Sequence, residues 1–116
     1  MELMLFLQCY YIEFMPVIYE YLGIIISFWS NEHQPVHIHA SYSGAIVKVS
    51  FYVNNGMITT IKYKEEQGTF NAAKLRQLKE FISVYKYAIL YAWQQKFIEN
   101  VSVKKVVITK RIKSND

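Results

Sequence analysis

The segment that most constrains the fold is residues 45–53, where every second residue is apolar, with Lys48 and Ser50 at intervening positions. Side chains on a β-strand point alternately to opposite faces of its sheet, so this segment predicts a strand with one buried face. Asn54-Asn55-Gly56 follows directly, and Asn and Gly tolerate the positive φ angles of tight hairpin turns. We therefore expect a hairpin whose second strand spans residues 57–64.

Three shorter strands are predicted before this hairpin. Residues 17–22 and 24–30 are β-branched and aromatic runs divided by Gly23, a suitable site for a tight connection. Residues 30–35 contain Asn, Glu, Gln and Pro, which disfavour a strand interior and predict a loop. Residues 36–42 alternate again and end at a predicted turn, Ser43-Gly44.

A long helix is predicted to cover the apolar face of these strands. The run from Asn71, a favourable N-cap, to about Phe97 contains no Gly or Pro. Its apolar residues recur every three or four positions and form one stripe: Leu75, Leu78, Ile82, Tyr85, Ile89, Ala92 and Trp93. Residues 101–109 predict a last strand. The predicted fold class is α+β, an antiparallel β-meander of about five to six strands with one long helix packed across one face.

Length and composition limit the class of protein. A chain of 116 residues is expected to form one domain, and 53% hydrophobic residues argue against disorder. The single cysteine, Cys9, excludes an internal disulfide framework and fits a reducing cytoplasm. Since no run approaches the ~18 apolar residues that a bilayer requires, we expect a cytoplasmic protein without a membrane span.

Residues 1–14 differ in character from the rest. Their apolar stretch lacks the basic start and the small-residue cleavage site of a secretory signal. Orderly strand patterning begins only at Met15-Pro16. We expect residues 1–14 to be an extension from an upstream start codon and residues 15–113 to form the single α+β domain. An extra strand or short helix packed on the core is the alternative for residues 1–14.

All three histidines, His33, His37 and His39, lie in one short segment. Histidine is both a common metal ligand and a proton carrier near neutral pH. His37 and His39 are expected on one face of a strand, with His33 one loop away. Three imidazoles and a water are the pattern of an open zinc site, but only Glu32 adjoins as a fourth ligand. We therefore expect hydrogen-bonding histidines and no cofactor, with zinc or another divalent transition metal as the alternative.

A second interpretation makes His37 or His39 a general acid or base, as in metal-independent RNA cleavage. Four side chains are candidates to stabilise a phosphate beside them: Tyr42, Tyr63, Lys48 and Lys62. The histidine-triad nucleotide hydrolases are excluded because Ser41 stands where their third histidine is required.

The chain ends in a basic tail. Its five cations are Lys104, Lys105, Lys110, Arg111 and Lys113. Contact with phosphates is the functional interpretation, and a solvated edge strand that uses lysines to prevent sheet-to-sheet pairing is at least as good an explanation. The net charge of +4 permits an acidic partner such as RNA, DNA or an acidic protein.

Several motifs occur together: Met15-Pro16, Gly23, Trp93 and Asn31-x-His33-x-Pro35-x-His37-Ile38-His39-Ala40. In this combination, over residues 15–97, the chain resembles a bacterial family, domain of unknown function family 4160. It departs at Val36, where that family often has a second proline. The resemblance implies a small stand-alone cytoplasmic protein, often encoded beside another small protein in an arrangement similar to toxin–antitoxin pairs. It brings no catalytic residue with it.

The sequence thus favours a small cytoplasmic binding or regulatory module that acts on a partner protein or nucleic acid. His33, His37 and His39 would form its surface constellation. A His-centred hydrolase, either a metal-dependent hydrolase or a metal-independent ribonuclease, is the alternative, and a purely structural role for the histidines is the third. A small partner protein encoded nearby and a homo-oligomer both stay open.

Overall fold

Six strands and one long helix form the part of the chain that the computed structural model describes, residues 16–28, 35–99 and 103–112. In chain order they are β1 (Val17–Tyr21), β2 (Ile24–Phe28), β3 (Val36–Tyr42), β4 (Ala45–Asn54), β5 (Met57–Gln67), α1 (Ala72–Phe97) and β6 (Val106–Ile108). The predictions for residues 1–14, for His33 and for Lys113 lie outside the described residues.

The strands form one sheet in the order β5-β4-β3-β2-β1-β6. Each consecutive pair from β1 to β5 is antiparallel, but β6 pairs with β1 in parallel. The prediction of a purely antiparallel meander is therefore wrong in its last strand, and the sheet is mixed. The reason is the connection: parallel strands need a long crossover, and α1 carries the chain from β5 to the opposite edge of the sheet. The α+β class is confirmed.

Tight turns connect β1 to β2, β3 to β4 and β4 to β5. Each turn places two successive residues at positive φ, as the primed hairpin turns require: Leu22 and Gly23, Ser43 and Gly44, Asn55 and Gly56. Leu22 was predicted as the end of a strand, yet it adopts φ 49° within the first turn. Leucine rarely adopts that conformation, so the sequence gave no sign that Leu22 belongs to the tight connection predicted at Gly23.

The helix begins and ends where the sequence predicts. Asn71 is its N-cap, and its side-chain oxygen accepts a hydrogen bond from the Lys74 backbone N–H at 2.8 Å. The buried helix residues are Leu78, Phe81, Ile82, Ile89, Leu90, Ala92 and Trp93. Phe81 and Leu90 were missing from the predicted stripe, and Leu75 and Tyr85, which belonged to it, are only partly buried.

Aromatic rings join the helix to β1. The ring of Phe81 stacks on that of Tyr21 with centroids 5.1 Å apart, and it meets Tyr19 edge-on at 5.3 Å. The alternating side chains of β3 and β4 complete the same core, because Val36, Ile38, Ala40, Val47 and Val49 are buried. The opposite side chains of β3 and β4 therefore lie on the sheet face away from this core.

Candidate functional site

His37 and His39 lie on the sheet face opposite the core, as the alternation of β3 predicts. Two rows of directly paired residues cross the strands there. One row joins Ser27, His39, Lys48 and Lys64, and the other joins His37, Ser50 and Lys62. We call the following residues the histidine face: Ser27, His37, His39, Lys48, Ser50, Tyr52, Lys62 and Lys64.

A hydrogen bond between the neighbouring strands β3 and β4 holds the His37 imidazole. Its Nδ1 lies 2.8 Å from the hydroxyl oxygen of Ser50, which is only 6% exposed. Burial lowers the pKa of His37 below its ordinary value, Lys48 lowers it further, and Glu66 acts in the opposite direction. The imidazole is therefore neutral near pH 7, a state that suits a proton acceptor or a hydrogen-bonding group.

His39 is neutral for related reasons. Burial is the largest cause that lowers the pKa of His39. Glu66 raises it, while Lys48 and His37 lower it further. Two neutral imidazoles therefore stand side by side on β3, each within the field of Lys48.

Lysines dominate the β4–β5 side of the histidine face. Lys48 and Lys64 are directly opposite in register, and like charges in that position destabilise a sheet. Glu66 offsets part of this charge through an ion pair with Lys48 at 3.4 Å. Lys64 and Lys62 are exposed, and the Lys62 ammonium lies 5.1 Å from the centroid of the Tyr52 ring.

The two tyrosines predicted as phosphate helpers lie on the other side of the sheet. Tyr63 pairs with the core residue Val49, and burial raises the pKa of Tyr63 to about 12. The ring of Tyr42 contacts Phe70, with centroids 6.2 Å apart. Neither can act beside the histidines, whereas the predicted helpers Lys48 and Lys62 do lie on the histidine face. Lys64 and Tyr52 were not predicted as site residues, although the register of the Asn55-Gly56 hairpin places both on this face.

The three-histidine metal site stays a prediction, because His33 lies outside the described residues. Among residues 16–28, 35–99 and 103–112, no three His, Cys, Asp or Glu side chains are grouped so as to hold a metal ion.

The basic tail lies at the opposite edge of the sheet from Lys62 and Lys64. Five strand spacings, about 24 Å, separate β5 from β6. Lys104, Lys105, Lys110 and Arg111 are exposed there. Two of them bind carboxylates of the domain: Lys105 contacts Glu20 at 3.4 Å and Arg111 contacts Glu80 at 3.1 Å. These ion pairs join the tail to β1 and α1, so the positive charges of Lys105 and Arg111 contact carboxylates of the same domain.

Comparison with known proteins identifies a family. A family model described as "Domain of unknown function (DUF4160)" matches residues 23–94, a span that contains β2 to β5 and most of α1. No curated protein and no solved structure matches the chain. Within the described part of the chain, no helix has the length and apolar character needed to cross a bilayer.

Proposed function

Because the chain belongs to the family Domain of unknown function (DUF4160), whose description names no activity, we propose a function from the histidine face: the protein is a small regulatory module that binds nucleic acid. The resemblance to proteins encoded beside a small partner, in an arrangement similar to toxin–antitoxin pairs, supplies the regulatory context. In that context the module acts in the cytoplasm.

The observation that carries this proposal is the register of Lys48 and Lys64. Two cations directly opposite one another, with exposed Lys62 beside them, leave the sheet with more positive charge than Glu66 neutralises. Phosphates of a nucleic-acid backbone supply the missing negative charge, and their contact with lysine releases condensed counterions.

The neighbouring side chains suit the same ligand. Tyr52 is partly exposed beside Lys62, and aromatic rings on a basic sheet face are platforms on which single-stranded bases stack. The neutral imidazole of His37 adds a hydrogen-bonding group in the adjacent row. A single strand, whose bases are free to stack, is therefore the preferred form of the ligand.

Fluorescence anisotropy with labelled single-stranded RNA, single-stranded DNA and duplex DNA tests the proposal. Wild-type protein should bind single strands, and the double variant Lys62→Glu/Lys64→Glu should bind at least about tenfold more weakly. The double variant Lys86→Glu/Lys96→Glu, which makes the same change of charge on α1, is the matched control and should bind like wild type. Absence of binding, or equal weakening by both variants, overturns the proposal.

A His-centred hydrolase is the second candidate, favoured by the lowered pKa of His37 and its hydrogen bond to Ser50. A neutral imidazole near working pH is competent as a general base. Electrophoresis of the same RNA samples tests for cleavage, and a ribonuclease should lose cleavage in His37→Ala. Metal analysis of the purified protein separates the metal-dependent form, which should lose its metal in His37→Ala and His39→Ala.

A further inference from the structure

The strand β5 is the end strand of the sheet among the described strands. It is 11 residues long, and most of its side chains are exposed. Along such an edge the outward backbone N–H and C=O groups have no neighbouring strand and form a template for another extended chain. A peptide that adds to a sheet edge gains affinity from these hydrogen bonds and specificity from pockets for alternate side chains.

A cavity lies between this edge and α1. Its volume is about 180 Å³, and besides Lys64 it is lined by Val47, Tyr63, Glu65, Phe70, Leu75 and Lys79. Sites for whole small molecules usually measure about 300–1,000 Å³, so this cavity suits a single apolar side chain. Leu75 and Lys79 also line a shallower depression on α1, whose other walls are helix residues.

We propose that the edge of β5 and this cavity bind an extended peptide with the pattern acidic–apolar–acidic. Residues directly opposite in paired strands share a sheet face. A peptide residue opposite Tyr63 therefore points toward the cavity that Tyr63 lines. Its two neighbours lie opposite Lys62 and Lys64 on the histidine face, where carboxylates complement the lysines.

Charge also argues against a second copy of this chain at the edge. When two copies of β5 pair antiparallel, the residues directly opposite one another must belong to the same face of the sheet. The register centred on Lys62 sets that residue against its own copy, and the register centred on Tyr63 sets Lys62 against Lys64 twice. The registers centred on Lys64 and on Glu65 set Lys62 or Lys64 opposite Glu66, but each also sets its central residue against its own copy. Like charges directly opposite destabilise a sheet, and no register sets a carboxylate opposite both Lys62 and Lys64. A peptide from another protein, with acidic residues at both places, is therefore the better occupant.

This peptide site goes beyond the proposed nucleic-acid binding and does not depend on it. Because Lys62 and Lys64 belong to both surfaces, a bound peptide competes with nucleic acid for the same cations. A partner protein that carries such a segment would thereby regulate nucleic-acid binding by the module.

Anisotropy of a labelled peptide with the central segment Thr-Glu-Leu-Glu-Thr, measured without nucleic acid, tests the site. Binding should weaken at least about tenfold for peptides with Thr-Glu-Asp-Glu-Thr or Thr-Lys-Leu-Lys-Thr at the centre. The protein variants Lys64→Glu and Leu75→Trp, which reverse a charge and fill the cavity, should weaken it similarly. Lys86→Glu should leave it unchanged. Equal binding of all three peptides overturns the proposal.

Hydrogen exchange of the wild-type complex gives a readout that does not depend on the folding of any variant. The peptide should protect backbone amides of β5, and protection confined to other elements contradicts edge docking. Sedimentation of the free protein is the remaining check: a dimer that Lys64→Glu dissociates shows that a second copy occupies the edge. Nucleic-acid binding without peptide binding overturns this inference alone, and the reverse result overturns the proposed function alone.

Discussion

The Nδ1 atom of His37 and the Oγ atom of Ser50 are 2.8 Å apart and join β3 to β4 on the histidine face. Since Ser50 is buried, we expect Ser50→Ala to lower the free energy of unfolding by about 1 kcal/mol, the typical net value of such a hydrogen bond. Urea denaturation measures this change. Ser41→Ala, on the same face of β3, is the control and should change stability less. An equal loss in both variants would show that the hydrogen bond contributes nothing specific.

Acidification should destabilise the protein through both histidines. Their pKa values in the folded state lie below the ordinary value of 6.5, so below about pH 6.5 the unfolded chain binds more protons than the folded one. Stability is therefore fully present above the unfolded pKa and is lost as the pH falls toward the folded pKa values.

Denaturation at about pH 7.5 and about pH 5.5 measures this loss. The variant His37→Gln/His39→Gln should lose less stability between the two conditions than wild type does. An identical loss in both proteins would assign the pH dependence to other groups.

Tyr21 anchors the C-terminal segment. Its hydroxyl oxygen accepts a hydrogen bond from the backbone N–H of Ile112 at 2.9 Å, while its ring is fully buried against Phe81. Tyr21→Phe keeps the ring and removes the acceptor, so it should cost about 1 kcal/mol and speed hydrogen exchange in residues 106–112. Unchanged exchange there would mean that the parallel pairing with β1 holds the segment without Tyr21.

Asn71 starts the helix through its hydrogen bond to the Lys74 N–H. Asn71→Ala should lower the free energy of unfolding by about 1 kcal/mol, whereas Asn71→Asp keeps the acceptor and should cost much less. Thermal or urea denaturation of the pair separates capping from a general effect of substitution. Equal losses in the two variants would contradict the role of the side chain as a cap.

Local patterns predicted much of the fold. The period-two alternation of residues 36–42 gave the bounds of β3 and the face of His37, because strand geometry fixes which side chains share a face. The Asn55-Gly56 turn and the cap at Asn71 were equally local. The parallel pairing of β6 could not be predicted in this way, because the partner of a strand that follows a long helix depends on where that helix crosses the sheet.

Long-range pairing also limited what the sequence could say of the site. Both Tyr42 and Tyr63 were candidates beside the histidines, but each belongs to the core side of its strand. The ion pairs of Lys105 with Glu20 and of Arg111 with Glu80 join residues far apart in the chain. Spacing along the sequence reports neither relationship, so the tail was predicted either as a phosphate contact or as a solvated edge strand, and its carboxylate partners were not foreseen.

The salt dependence of single-stranded RNA binding tests the role of the histidine face most directly. For a single strand, each phosphate contact makes the slope of log affinity against log salt more negative by about 0.7. If Lys62 and Lys64 contact phosphates, the slope for Lys62→Glu/Lys64→Glu should be shallower than that of wild type by about 1 to 2, and the slope for Lys86→Glu/Lys96→Glu should match wild type. An unchanged slope in Lys62→Glu/Lys64→Glu would contradict phosphate binding by the histidine face.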